Sequence, residues 1–233
     1  MADVAESIYR RGVDPKAAQA AEAISAACVP LTGFRLAGGT ALSWHLGHRL
    51  SEDLDFFTYE TGGVAEGART AILTRLRSAD PDLSVIGEEA HTLHVSFRGC
   101  RVSFFERPFR WSEPGVVVRE EIVLTGVRDV AVLKWIGINT RGAKKDFYDL
   151  DALTRHGLHA DALYDAITNA EPEILRDGTM REGLVRSLTY FEDAETDPDP
   201  VTLERRSWAQ VKANCAKFAR EMEGAVSRRK TRG

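Results

Sequence analysis

The stretch GGTALSWHLGHRLSEDLDFF, from Gly38 to Phe57, constrains the fold more than any other part of the chain. Two adjacent glycines follow a short apolar run, GFRLA, and precede TALSWHL, which ends at Gly47. This reads as a buried strand, a glycine turn, and a helix with Thr40 near its N-cap and a C-terminal glycine. LDFFTY then returns as a strand. Side chains alternate along a strand, so Asp53 and Asp55 share one face. Two carboxylates so placed repel each other unless a cation lies between them. Hard oxygen ligands suit Mg²⁺ or Mn²⁺, which keep waters and take substrate phosphates as further ligands. The Gly38-Gly39 turn permits close backbone approach, and the N-terminus of the following helix offers N–H groups to an anion. Thr40 adds a hydroxyl for a phosphate oxygen. The expectation is a phosphate seat facing a metal seat. AGGT matches neither the P-loop nor the dinucleotide glycine fingerprint.

The rest of the chain sets the frame for that site. At 233 residues it can hold one sizeable core, or a domain with a smaller helical companion. No apolar run approaches the roughly 20 residues that cross a bilayer. The first residues are of mixed charge without an apolar core segment, which predicts no secretory signal. Cys28, Cys100 and Cys215 are odd in number and far apart, as expected of reduced thiols in a cytoplasm. A net charge of −4 excludes a protein that holds nucleic acid by bulk charge alone. Locally the charge is polarised. Ser187 to Glu204 contains no Lys or Arg, while Arg205, Arg206, Lys212, Lys217, Arg220, Arg228, Arg229, Lys230 and Arg232 follow. Such a run is either a guide for a polyanion or a solvated helix with a disordered end.

Residues 14–27 read as a helix capped by Asp14 with Pro15 at its first position. A further helix is expected through ARTAILTRLRSA. HTLHVSF and CRVSFFE form a hairpin around Arg98-Gly99, and GVVV is another strand-like run. Helices follow over 128–139 and 144–154, and the chain after His156 reads as helical apart from the DPDP loop. The class is α+β: a mixed-sheet unit within 1–125 and a helical region over 126–233.

Lys134 falls in an apolar helical stripe with Val127, Val130, Ala131 and Ile138. Asp146 and Asp149 share a face of the next helix with Leu150 and Leu153. An inward Lys and two inward Asp are either a buried ion pair or a cationic hand for a triphosphate with a polar group that holds substrate. Arg141, Lys144 and Lys145 add positive charge beside them. The spacings His45/His48 and His91/His94 lack a third ligand for zinc, and Ser51 lacks a hydrolase context.

The segments GGTALSWHLGHRLSEDLDFF, DVAVLKWIGINTRGAKKDFYDLDAL and SLTYFEDAETDPDP resemble the AbiEii/AbiGii-type nucleotidyltransferase toxins, a branch of the DNA polymerase β-like superfamily. The resemblance implies a polymerase β-like nucleotidyltransferase core with a mixed sheet and a helical C-terminal region. It implies transfer of a nucleoside monophosphate from an NTP to a hydroxyl of RNA, such as a tRNA 3′ end, and a cognate antitoxin protein. By motif, Gly38, Gly39, Thr40 and Ser51 fall to the nucleotide, and Asp53 and Asp55 to the catalytic metal. Lys134 matches the lysine that contacts the NTP. Asp146 and Asp149 match the late acidic motif, with Lys145 between them on the nucleotide side. One departure stands out. Enzymes of this superfamily usually carry a third carboxylate on a neighbouring strand, and the corresponding position here is Ser103. Glu106 is near but of opposite strand parity. The base role then falls to Glu106, Asp146 or Asp149, or the chain is a weak or degenerate member that binds nucleotide. An acceptor hydroxyl on a small molecule or a protein is the other open alternative.

Overall fold

The hairpin read at Arg98-Gly99 is the register mark of a seven-stranded sheet. Arg98 and Gly99 take φ of +52° and +71°, the left-handed pair that a two-residue primed turn requires, and Phe97 pairs directly with Cys100. The computed structural model describes residues 12–107, 109–119, 122–170, 183 and 185–230. The helical expectation after His156 falls partly on residues 171–182 and 184, and the basic run ends at Arg232; these lie outside the described residues.

The chain divides into two compact units, residues 1–109 with 114–126, and residues 110–113 with 127–233. The first holds helices α1 (Pro15–Ala26), α2 (Gly38–Leu46) and α3 (Glu66–Ala79). Its strands are β1 (Arg35–Ala37), β2 (Leu54–Thr58), β3 (Ser84–Glu89), β4 (Thr92–Phe97), β5 (Cys100–Glu106), β6 (Val116–Arg119) and β7 (Ile122–Leu124). The sheet order is β3-β4-β5-β2-β1-β7-β6. Pairing is mixed: β2 runs parallel to β5 and β1 parallel to β7, and the other neighbours are antiparallel.

Strand alternation sorts the side chains cleanly. Leu54 and Phe56 of β2, Val102 and Phe104 of β5, and Leu93 and Val95 of β4 occupy the buried face. Phe104 stacks on Phe56 at 5.4 Å and meets Phe34 edge-on at 5.7 Å. Burying side chains of this size contributes about 1.5–3 kcal/mol each. Helix α1 is held by the Asp14 carboxylate accepting from the Lys16 amide at 2.8 Å, and it packs against β5 and α3. The opposite sheet face carries Asp55, Ser103 and His94 in one row, and Phe57 and Phe105 in the next.

Two strands and one helix start differ from the sequence reading. β3, SVIGEE, is an edge strand with almost every residue exposed, so it has no apolar alternation to read. β7 is three residues long, and backbone pairing with β1 and β6 defines it. Gly38 and Gly39 do not form a turn ahead of the helix; they are its first two residues, following β1 without a loop. A left-handed φ of +65° at Gly38 makes that change of direction within one residue.

The second unit contains α4 (Val127–Arg141), α5 (Lys144–Arg155), α6 (Ala160–Ala170), the short α7 (Glu192–Glu195) and α8 (Trp208–Lys230). α4 packs on α5 and α6, and α8 crosses both α5 and α6. Phe147, Leu150, Leu153, Leu163, Ile167, Val211 and Met222 form its core. Trp208 meets Phe147 and Phe191 edge to face, Phe147 and Phe191 are tilted at 60°, and Tyr148 stacks on Trp208. The acidic DPDP loop secures the start of α5. There the Asp197 carboxylate accepts from the Lys144 amide, and Asp199 pairs with the Lys144 ammonium at 3.2 Å. Much of the basic run is also neutralised here. Arg228 and Arg229 pair with Asp161 and Asp165, Lys212 with Glu195, and Arg206 with Asp151.

Candidate active site

In the first unit the site is built where β1, α2 and β2 meet. Asp55 lies opposite Ala37 in the β1–β2 ladder, so its carboxylate leaves the sheet beside the first residue of α2. A Cβ on Gly38 would stand 2.6 Å from Asp55 Oδ2. The missing side chain is therefore what makes room for that carboxylate. Gly39 does the same for a second pair: a Cβ there would strike the Arg49 guanidinium and come within 2.9 Å of Ser51 Oγ. Arg49 is buried and donates to the Leu50 carbonyl at 2.8 Å.

The segment leading into β2 is clamped. Ser51 donates its amide to the Gly12 carbonyl at 3.0 Å, and its own carbonyl accepts from the Asp14 amide at 2.9 Å. The buried Thr40 hydroxyl donates to the Asp53 carbonyl and lies 2.9 Å from Ser51 Oγ. A carbonyl only accepts, so the Thr40 proton goes to Asp53 and the Ser51 hydroxyl donates to Thr40. Both hydroxyls thus hold the Asp53 backbone in place.

Asp53 precedes β2 by one residue and Asp55 lies within it; both are half-buried. Their negative field registers on a neighbour. Burial, followed by the charges of Asp53, Asp14 and Asp55, pushes the Cys100 thiol up to about 12, so it remains neutral. A pair of hard oxygen donors in a negative field, cradled by a glycine, fits a divalent cation. Among the described residues no group of three or more His, Cys, Asp or Glu is arranged for a metal ion.

Register locates Ser103, where the resemblance implies a third acid. Asp55 pairs with Ser103 on the parallel strand β5, and Ser103 is buried with its Oγ 2.9 Å from His94 Nδ1. Glu106 pairs with Thr58 on the other sheet face. There it accepts from the Val64 amide at 3.2 Å and pairs with His91 at 3.4 Å. Burial raises its pKa, but the Gly62 and Val64 amides and His91 outweigh that and leave it below the ordinary carboxylate value.

In the second unit Lys134, Asp146 and Asp149 are drawn together. The Lys134 ammonium is 3.1 Å from Asp146 Oδ1 and 2.6 Å from Asp149 Oδ2, and all three side chains are buried. Arg141 forks onto Asp146 at 2.8 and 3.0 Å. Gly137 on α4 leaves the room: a Cβ there would meet Asp146 Oδ2 at 3.0 Å. Burial pushes the Asp146 carboxyl up, and the charges of Lys134 and Arg141 pull it back below its ordinary value. Buried Lys134 offsets one of the two buried carboxylates, and Arg141 reaches Asp146 from an exposed position to offset the other. Lys145 is exposed on the first turn of α5. Arg49 was not singled out by the sequence and His94 only as half of a zinc-type spacing; the glycine at 39 and the β4–β5 register disclose their places.

The first unit thus combines a mixed sheet with an acid pair beside a glycine-started helix. The nucleotidyltransferase toxin MenT4 of Mycobacterium tuberculosis H37Rv shares the fold, with a TM-score of 0.54 at 18% identity over 97% of each chain. A crystal structure of an H. pylori protein assigned as a nucleotidyltransferase superposes with a TM-score of 0.54 at 18% identity, covering 90% of this chain and 94% of the other. The model of the family described as nucleotidyl transferase AbiEii toxin, type IV toxin–antitoxin system, matches residues 30–228, and the chain belongs to that family. An uncharacterized protein of Aquifex aeolicus (strain VF5) is 34% identical over 166 residues, 70% of this chain and 76% of that one. The protein is accordingly a nucleotidyltransferase toxin of a type IV toxin–antitoxin system, with an NTP substrate and an antitoxin counterpart. No helix among the described residues is long and apolar enough to cross a membrane.

Proposed function

We propose that the protein is a Mg²⁺-dependent toxin that transfers a nucleoside monophosphate from an NTP to an RNA hydroxyl, at the 3′ end of tRNA, in the cytoplasm. The observation that carries the reading is the Asp55 carboxylate seated against Gly38 at the first turn of α2. Asp53 and Asp55 would hold the metal, Mg²⁺ or Mn²⁺. Bound there, it would lower the nucleophile's pKa and neutralise the leaving pyrophosphate. The Gly38 and Gly39 amides take a phosphate at the helix N-terminus, and Thr40 and Ser51 hold the Asp53 backbone at that seat. For the helical unit the family resemblance supports Lys134 as the triphosphate contact, with Asp146 and Asp149 keeping it charged and Lys145 adding positive charge. The tRNA acceptor likewise rests on that resemblance.

The test is incubation of the pure protein with each labelled NTP and separate pools of tRNA, protein and small alcohols, with and without Mg²⁺. Label is expected in the tRNA pool only, dependent on Mg²⁺ and abolished by Asp53→Ala. Undiminished labelling by Asp53→Ala refutes the site. Label in the protein or alcohol pool moves the acceptor. Ser103 in the third-acid position favours a second reading, a nucleotide-binding member without transfer. Mg-NTP binding with no pyrophosphate release in any pool would establish it.

A further inference from the structure

Asp55, Ser103 and His94 are register partners on three adjacent strands, so their side chains leave the sheet in one row on one face. The buried Ser103 hydroxyl lies 2.9 Å from His94 Nδ1. His94 itself is half-buried, its ring edge-on to Phe105 at 5.4 Å. Nucleotidyl transfer needs a group that accepts the proton of the attacking hydroxyl, and the carboxylates named for that role are engaged. Glu106 faces the other side of the sheet and holds the Val64 amide. Asp146 and Asp149 are buried against Lys134.

We propose that His94 is the proton acceptor for the attacking hydroxyl and that Ser103 is a positioning residue that holds its tautomer. The proposal rests on the nucleotidyl-transfer reading above. When Nδ1–H donates to Ser103 Oγ, the lone pair of Nε2 remains at the far edge of the ring. In the step, the acceptor oxygen bonds to the α-phosphorus as the bond from that phosphorus to the α,β-bridging oxygen breaks. Pyrophosphate leaves with the bonding pair. The hydroxyl proton passes to Nε2, and the imidazolium returns it to water. The charged groups around His94 are Arg101 on β5, Asp55 on β2 and Glu89 on β3. Burial and then Arg101 lower its pKa, Asp55 and Glu89 raise it, and the balance lies below the ordinary 6.5. The ring is therefore neutral and basic at pH 7. Where the third acid is a serine, the next strand supplies the base.

His94→Gln is expected to lower kcat about 10²–10⁴-fold. Its KM for NTP should remain within about twofold. The wild-type kcat/KM should fall as pH drops through the His94 pKa, below 6.5, and that acid limb should vanish in His94→Gln. Ser103→Ala should shift the acid limb and lower kcat by about tenfold, the lesser loss of an orienting group. His91→Gln, on an exposed residue three positions earlier, should leave both rate and profile unchanged. If His94→Gln keeps its rate or its acid limb while Asp53→Ala abolishes transfer, the proposal is overturned and the nucleotidyl-transfer reading stands. If the wild type transfers nothing to any pool, both fall. Should His94→Gln fail to fold, an unshifted acid limb in Ser103→Ala overturns the proposal.

Discussion

Replacing Gly38 by alanine tests the heart of the site, because two consequences of one methyl group can be separated. The first is backbone strain. At φ +65° an L-residue is disfavoured by about 1–2 kcal/mol. For a chain of this size that corresponds to a Tm lowered by roughly 2–8 °C. The second is a collision: the new Cβ would stand 2.6 Å from Asp55 Oδ2, and reaching ordinary contact at 3.4 Å moves the carboxylate by roughly 0.8 Å. Misplacing a catalytic group by about 1 Å costs on the order of 10²-fold in rate, close to 2.7 kcal/mol in activation free energy. Gly62→Ala supplies the control. Its φ of +85° brings the same kind of strain, but nothing lies within 4 Å of the added Cβ. Both variants should unfold at lower temperature by similar amounts in a thermal melt. Only Gly38→Ala should lose about 10²-fold in NTP transfer measured at 25 °C, where both remain folded. Equal activities for the two variants would refute the idea that the glycine exists to seat Asp55.

Two further outcomes follow from buried groups. Asp146 has a folded pKa below its ordinary value, so its contribution to stability is complete above the unfolded value of about 3.9 and is lost as pH falls through the lower folded value. Asp146→Asn should cost about 3–5 kcal/mol at neutral pH and flatten that acid dependence in urea unfolding; an unchanged midpoint would show the ion cluster to be energetically idle. Thr40→Val leaves the Asp53 carbonyl and the Ser51 hydroxyl without their partner, expected to cost about 1–3 kcal/mol. Calorimetry should register that loss together with a lower kcat, since the Asp53 backbone is released; a full-rate variant would separate Thr40 from the site.

The sequence by itself determined the elements whose cues are local. Asp14-Pro15 started α1, Arg98-Gly99 turned the hairpin, and Gly47 ended α2, each through a backbone preference that neighbours in the chain are enough to set. Strand alternation predicts one face for Asp53 and Asp55; in the fold Asp55 lies within β2 and Asp53 one residue ahead of it. Tertiary structure decided the rest. β3 and β7 are strands because of what they pair with, not because of what they contain. The two glycines could be read as a turn, but only the fold shows Asp55, Arg49 and Ser51 packed where their side chains would lie. Lys134 was open between an ion pair and a phosphate hand, and the crossing of α4 and α5 joined it to both aspartates. Most of all, the partner of Asp55 is fixed by a parallel pairing between β2 and β5, 48 residues apart in the chain, and by His94 on the strand beyond. Hydrogen-bond register across a sheet is a relation between distant segments, and no local pattern encodes it.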